Sequence, residues 1–244
     1  MKDLIELNAL AVEFRDMLSI NPYSPIDLFN IIPSKFPDYS IVFYPMSYYT
    51  SGMCIKNDKN SIIAINSNLS LGRQRFTLAH ELYHLLYDEN YNKDVIVCNF
   101  NDSSDSEQEA EKFGSFLLMP YEGLKKYMKV NDIKKWDLDS VIFLQQYFQI
   151  SHKAVIVRLK QDGFISENEY EDLKKVTITR EATQRGFDKS LYITPNPDHR
   201  RRLIGNYVRL VENASSKHLI SEGKRRSLLL DGFQDDLIFD FKGE

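Results

Sequence analysis

Cysteine is scarce: only Cys54 and Cys98 occur in 244 residues. A secreted disulfide scaffold would need more, and no C-x-x-C spacing joins this pair into a zinc site. Both read as plain thiols. No apolar run approaches the roughly 20 residues needed to cross a bilayer. The opening Met1-Lys-Asp-Leu-Ile-Glu-Leu is broken by charge and lacks the apolar core of a signal peptide, so a cytoplasmic protein with no membrane partner is expected. No charge sign dominates either. A net charge of −4 and a pI near 5.8 give no global attraction to nucleic acid or to anionic lipid. Internal repeats and low-complexity tracts are absent.

What is there is an ordinary globular composition, 43% hydrophobic and 27% charged, at a length that suits one large domain or a catalytic domain with a smaller companion. Leu4, Leu7, Ala11, Phe14 and Leu18 recur at helical spacing, and Ser24-Pro25 opens a second helix running to about 32. Three short apolar runs, 40–44, 52–56 and 61–66, read as strands, with a hairpin turn at 57–60. A long helix over 72–87 follows, then a brief strand at 95–98 and a second long helix from Ser104 to Pro120. Further helices are expected at 120–128, 137–149, 152–161, 167–175, 198–213 and 221–230, with a strand at 176–179. The fold class is α+β, a small three-stranded sheet packed with helices. The chain divides into a main domain, 1–130, a helical, helix-turn-helix-like region, 131–180, and a C-terminal extension, 181–244.

The 72–87 helix carries His80-Glu81-Leu82-Tyr83-His84, an H-E-x-x-H pattern. Residues four apart share a helix face, so His80 and His84 can hold two corners around Zn²⁺. Glu81 stands ready to take a proton from the attacking water. The H-E-x-x-H-x-x-G-x-x-H extension is missing, and His152, His199 and His218 lie far along the chain. That leaves a carboxylate on the 104–120 helix as third ligand. Glu107, Glu109 and Glu111 compete there, and periodicity ranks Glu107 first and Glu109 second. Ala110 and Gly114 lie on the Glu107 face and are small, so that face can approach another helix closely. Glu107 could instead complete a capping box with Ser104. Glu111, one turn on, could hydrogen-bond a ligand histidine. The strand at 61–66 offers Ile63, Ala64 and Ile65 for pairing with an extended substrate. Tyr83 reads as core, and Tyr48 and Tyr49 are weak candidates to stabilise an oxyanion.

Arg73-Gln-Arg-Phe-Thr-Leu-Ala-His-Glu-Leu-Tyr-His84, followed by Glu107-x-x-Ala110-x-x-Phe113 and Leu117-Leu-Met-Pro120, resembles the ImmA/IrrE family of metallo-endopeptidases over roughly residues 1–165. The resemblance implies zinc on His80, His84 and Glu107, Glu81 as the base, and a gluzincin-like core followed by a helical domain. It also implies a protein substrate, a helix-turn-helix repressor in a stress or mobile-element circuit. Two positions depart from the family pattern: Glu111 stands where Asn or Asp is common, and Gly114 where Ala is usual.

Two rivals remain. One is a non-catalytic zinc-binding regulator or antitoxin-like partner. The other is a DNA-binding transcription factor that uses 144–159, where Lys153, Arg158 and Lys160 would face DNA although Ala154, Val155, Val157 and Leu159 are apolar. The basic tail segments, 199–202 and 224–226, are offset by Asp231, Asp235, Asp236 and Asp240, so a solvated mixed-charge surface is expected.

Overall fold

The computed structural model describes residues 2–56, 59–88, the backbone of 96–99, and 104–239. The elements run α1 (Leu4–Met17), α2 (Leu28–Lys35), β1 (Tyr39–Tyr44), β2 (Thr50–Lys56), β3 (Ser61–Asn66), α3 (Leu71–Leu86), β4 (Ile96–Asn99), α4 (Asp105–Leu118) and α5 (Tyr121–Val130). After these come α6 (Leu138–Phe148), α7 (His152–Gln161), α8 (Glu167–Lys174), α9 (Ile178–Gln184), β5 (Arg202–Gly205), α10 (Asn206–Ser216) and α11 (Glu222–Asp231). The class is α+β as expected, but the sheet has five strands, in the order β4-β2-β3-β1-β5. The fifth strand is what periodicity missed. Arg202–Gly205 was expected inside a helix. It lies antiparallel to β1, Ile204 opposite Ile41, so part of the C-terminal extension is built into the sheet. The pairing spans some 160 residues of sequence and leaves no local mark. Val176–Thr179, expected as a strand, instead leads into α9, whose Ala182 is buried. Residues 57 and 58 of the expected hairpin turn lie outside the described residues, yet β2 and β3 pair antiparallel with Lys56 opposite Ser61.

β3 is an interior strand, parallel to β1 on one side and antiparallel to β2 on the other. Its backbone groups are therefore taken. Ile63, Ala64 and Ile65 cannot pair with a substrate strand, which corrects that expectation. Ile63 and Ile65 serve the core instead. Alternation along the strand turns them to one face with Ile41, Phe43 and Cys54, all fully or almost fully buried. Asn66 ends the strand and its buried amide is fully used. Oδ1 accepts from the backbone of Met46 and Asn68, each at 3.0 Å, and Nδ2 donates to Ser47 O at 2.8 Å and Thr50 O at 2.7 Å. This clamp fixes the chain that enters β2 beside the histidine-bearing helix.

α3 packs on β2 and β3, and α4 packs between α3 and α1. α1 buries Leu7, Ala11 and Phe14 on one stripe. Arg15 on α1 is also fully buried, and its guanidinium donates to the carbonyls of Leu117 (2.6 Å), Asn21 (3.0 Å) and Ser24. It thereby satisfies a carbonyl in the last turn of α4, where helix geometry provides no partner. α6 and α7 form a helix–turn–helix: Gln149 takes the left-handed conformation that ends α6 (φ 59°), and Ser151 caps α7 by accepting from Ala154 N. Among the described residues, no helix is long and apolar enough to cross a membrane.

Candidate metal centre

α3 and α4 meet through small residues. A Cβ built on Gly114 would stand 3.2 Å from the backbone nitrogen of His80, so the absence of a side chain there lets the helices close. The contact sets Glu107 of α4 against the histidine face of α3. His80 Nε2 lies 3.0 Å from Glu107 Oε2, His84 Nε2 lies 3.4 Å from Glu107 Oε1, and the two Nε2 atoms are 3.2 Å apart. Bonds of about 2.0–2.2 Å at tetrahedral angles would separate zinc ligands by roughly 3.3–3.6 Å. Two imidazole nitrogens and one carboxylate at this spacing therefore fit a divalent metal, with a fourth direction left for water or substrate. All three residues are buried, and they are the group among the described residues that could hold a metal ion.

The competition along α4 is decided by partners. Ser104 Oγ does accept from Glu107 N at 3.4 Å, but the Glu107 carboxylate turns to the histidines rather than back to the cap. Burial would raise its pKa, and hydrogen bonds from His80 and His84 outweigh that and hold it at about 2. Glu109 faces elsewhere, bonded to the Tyr83 hydroxyl and 3.5 Å from Lys2 Nζ. Tyr83 is fully buried against Phe113, so it is core, with burial and then Glu109 pushing its pKa up. Tyr48 and Tyr49 are 84% and 74% exposed and take no part in the cleft wall.

Glu111 is exposed at the cleft rim. The carboxylate that meets a histidine is Asp88, which corrects the expected second contact. Its Oδ2 lies 3.1 Å from His84 Nδ1 and accepts from Ser106 Oγ at 2.5 Å. Such a bond turns the Nε2 lone pair of His84 toward the metal position. Burial pulls the His84 pKa down, but Glu107 and Asp88 outweigh it and the net shift is upward. Asp88 was within reach of sequence reasoning: it is four residues past His84, on the same face. It was missed because it stands beyond the end of the helix.

Glu81 is fully buried beneath the histidines. β2 passes so close that a Cβ on Gly52 would come within 2.7 Å of Glu81 Oε1 and 2.6 Å of Thr77 Cγ2. Cys54 of the same strand also faces Glu81. Burial, then the Glu81 charge, pushes that thiol well above its ordinary range, so Cys54 stays protonated and can donate to the carboxylate. The side chain of Cys98 lies outside the described residues. The requirement for Gly52 is tertiary and has no sequence signal.

A cleft of about 310 Å³ opens over His80 and Glu107, walled by α3, α4 and α7. This places α7, the would-be recognition helix, against the candidate site. One of its cations is turned into the protein, Arg158, which is 2% exposed and pairs with Asp162 at 2.7 Å; Lys160 makes a surface pair with Glu167 at 2.6 Å.

Comparison with curated proteins finds no match. The profile of one family, described as Peptidase_M78, IrrE N-terminal-like domain, matches residues 39–160, half of the chain. That span begins at β1, holds both ligand-bearing helices and ends in α7, the three elements that make and wall the cleft being included. On this match the chain belongs to the IrrE N-terminal-like family of metallopeptidases.

Proposed function

We propose that the protein is a zinc-dependent endopeptidase of the glutamate-ligand, gluzincin-like class whose substrate is a specific helix-turn-helix repressor. The observation that carries the reading is the set of three ligand atoms, His80 Nε2, His84 Nε2 and a Glu107 oxygen, at metal-ligand spacing over a buried Glu81. Zinc held there would supply Lewis acidity toward the scissile carbonyl and a water nucleophilic at neutral pH. Glu81 accepts the proton of the attacking water on its carboxylate and returns it to the leaving amine. Gly52 and Cys54 hold that carboxylate from the sheet side, and Asp88 holds His84 from behind.

The sheet edges among the described strands are β4 and β5. β4 pairs with β2, with Gly52 opposite Cys98 and Thr50 opposite Asn99, and the intervening Ser51 lines the cleft. An extended substrate segment would add to the β4 edge, which requires a flexible or locally unfolded stretch of the target. The repressor and its regulatory circuit rest on family membership. The DNA-binding alternative loses support because α7 walls the cleft and its Arg158 is buried on Asp162. The non-catalytic alternative turns on Glu81. Glu81→Gln should keep metal and fold while lowering cleavage of a helix-turn-helix repressor encoded beside this gene by at least ~10²–10³-fold. Cleavage at the wild-type rate by this variant removes Glu81 as the base. A wild-type protein that binds zinc yet leaves the repressor and unfolded test proteins intact supports the non-catalytic reading.

A further inference from the structure

The cleft runs from His80 and Glu107 along α4 to α7. Arg158 forms part of its wall there. Nε of this buried guanidinium donates to Asp162 Oδ2 at 2.7 Å, and Nη1 to Ser115 Oγ at 3.2 Å and Met119 O at 3.3 Å. Its carbon lies 4.1 Å from the centre of the Phe116 ring. Nη2 is buried and makes no hydrogen bond among the described residues. A buried guanidinium donor left without an acceptor is costly, and native structures pair such groups or reserve them for a ligand. Lys153 on the same helix is exposed and lines the same cleft, and Arg73 and Lys112 add positive charge to its walls. Against them stand Glu111 and the ligand Glu107.

We propose that this end of the cleft is a carboxylate subsite, in which Arg158 Nη2 and Lys153 Nζ receive an acidic group of the bound peptide. The inference rests on the peptidase reading. A guanidinium held on three sides keeps one unpaired donor, which a carboxylate reaches once the side chain covering it shifts, and the flexible ammonium completes the charge, which suits a carboxylate. In a peptide that group is an Asp or Glu side chain or the terminal carboxylate. Ser115, which holds Arg158, lies two turns along α4 from Glu107, roughly 12 Å at 1.5 Å per residue. An extended peptide covers that in three to four residues at about 3.3 Å each. The subsite therefore selects an acidic group three or four residues from the bond over the metal centre.

The test is binding, so that it does not depend on turnover. Fluorescein-labelled peptide hydroxamates, with the chain on either side of the hydroxamate, carry Glu or Gln at the third or fourth residue. A parallel pair ends there in a free carboxylate or an amide. Affinities are measured by polarisation with metal-free and with zinc-loaded protein. One carboxylate-bearing member should bind about tenfold more tightly than its neutral partner. Lys153→Glu and Arg158→Lys, which spares the Asp162 pair, should each reduce that ratio toward one. Preference for internal Glu marks an endopeptidase specificity subsite, and preference for the free end marks recognition of a chain terminus. Equal affinity within every pair, a preference untouched by both variants, or no saturable binding to either form overturns the subsite. Failure of the peptidase reading looks different: zinc and the hydroxamate then add nothing to binding, while the Glu preference in metal-free protein still stands or falls alone.

Discussion

His84 and His152 are both largely buried on helices, and each ring meets a partner at both nitrogens, yet what faces them differs in charge. His84 has Asp88 at Nδ1 and Glu107 at Nε2, with His80 alongside. His152 has the Gln145 amide 2.8 Å from Nδ1 and the Leu173 carbonyl 2.9 Å from Nε2. Burial pulls both rings toward the neutral form. Around His84 two carboxylates outweigh it and the pKa rises, while around His152 burial prevails and the pKa falls. The first ring sits in a pocket of negative charge that a divalent cation would neutralise. The second is a neutral joint tying α7 to α6 and α8. A buried histidine is thus no sign of a metal site by itself; the charge around it decides.

If that contrast is right, only the first cluster responds to metal. Saturating zinc at about a hundred times its dissociation constant should stabilise the fold by ~2.7 kcal/mol. For a chain of this size that raises the melting temperature by roughly 5–10 °C, and a chelator should reverse it. His84→Ala should abolish the zinc-dependent increment, whereas His152→Ala should lower the baseline and keep it. Differential scanning calorimetry with and without chelator reads both, and an undiminished increment in His84→Ala would break the comparison.

The clustering of His80, His84 and Glu107 was legible because it is written in local spacing: His80 and His84 one turn apart, and small residues on the Glu107 face of the next helix. The interior strands were legible from alternation, as Ile63 and Ile65 illustrate. What escaped depends on distant partners. Arg202–Gly205 becomes a strand only because β1 offers an edge. The bar against substrate pairing along β3 comes from β1 and β2 flanking it. Gly52 is required only because Glu81 approaches from another element. Arg158 looked like a surface cation until α4 supplied Ser115 and Met119.

A smaller effect sharpens the choice of carboxylate behind His84. Asp88→Asn keeps the size and an acceptor oxygen but loses the charge, and such changes beside a metal ligand cost about 10–100-fold in affinity. Competition with a chromophoric chelator should show that loss for Asp88→Asn and a change of less than about twofold for Glu111→Gln, given the exposure of Glu111. The reverse ranking would restore Glu111 to the role its spacing suggested.

The smallest effect belongs to the neutral joint. Burial lowers the pKa of His152 in the folded protein, while the unfolded chain takes its proton at about 6.5. As pH falls through about 6.5 the unfolded state binds the extra proton, so stability is full above that pH and declines below it. One proton limits the slope to ~1.4 kcal/mol per pH unit. Urea unfolding of chelator-treated protein between pH 7.5 and 5, compared with His152→Gln, isolates the term, because glutamine cannot titrate and the other groups are common to both. The wild type should lose more stability than the variant over that interval. An equal loss would mean that the imidazolium is tolerated between Gln145 and Leu173, and the two histidines would then not differ in the way their neighbours imply.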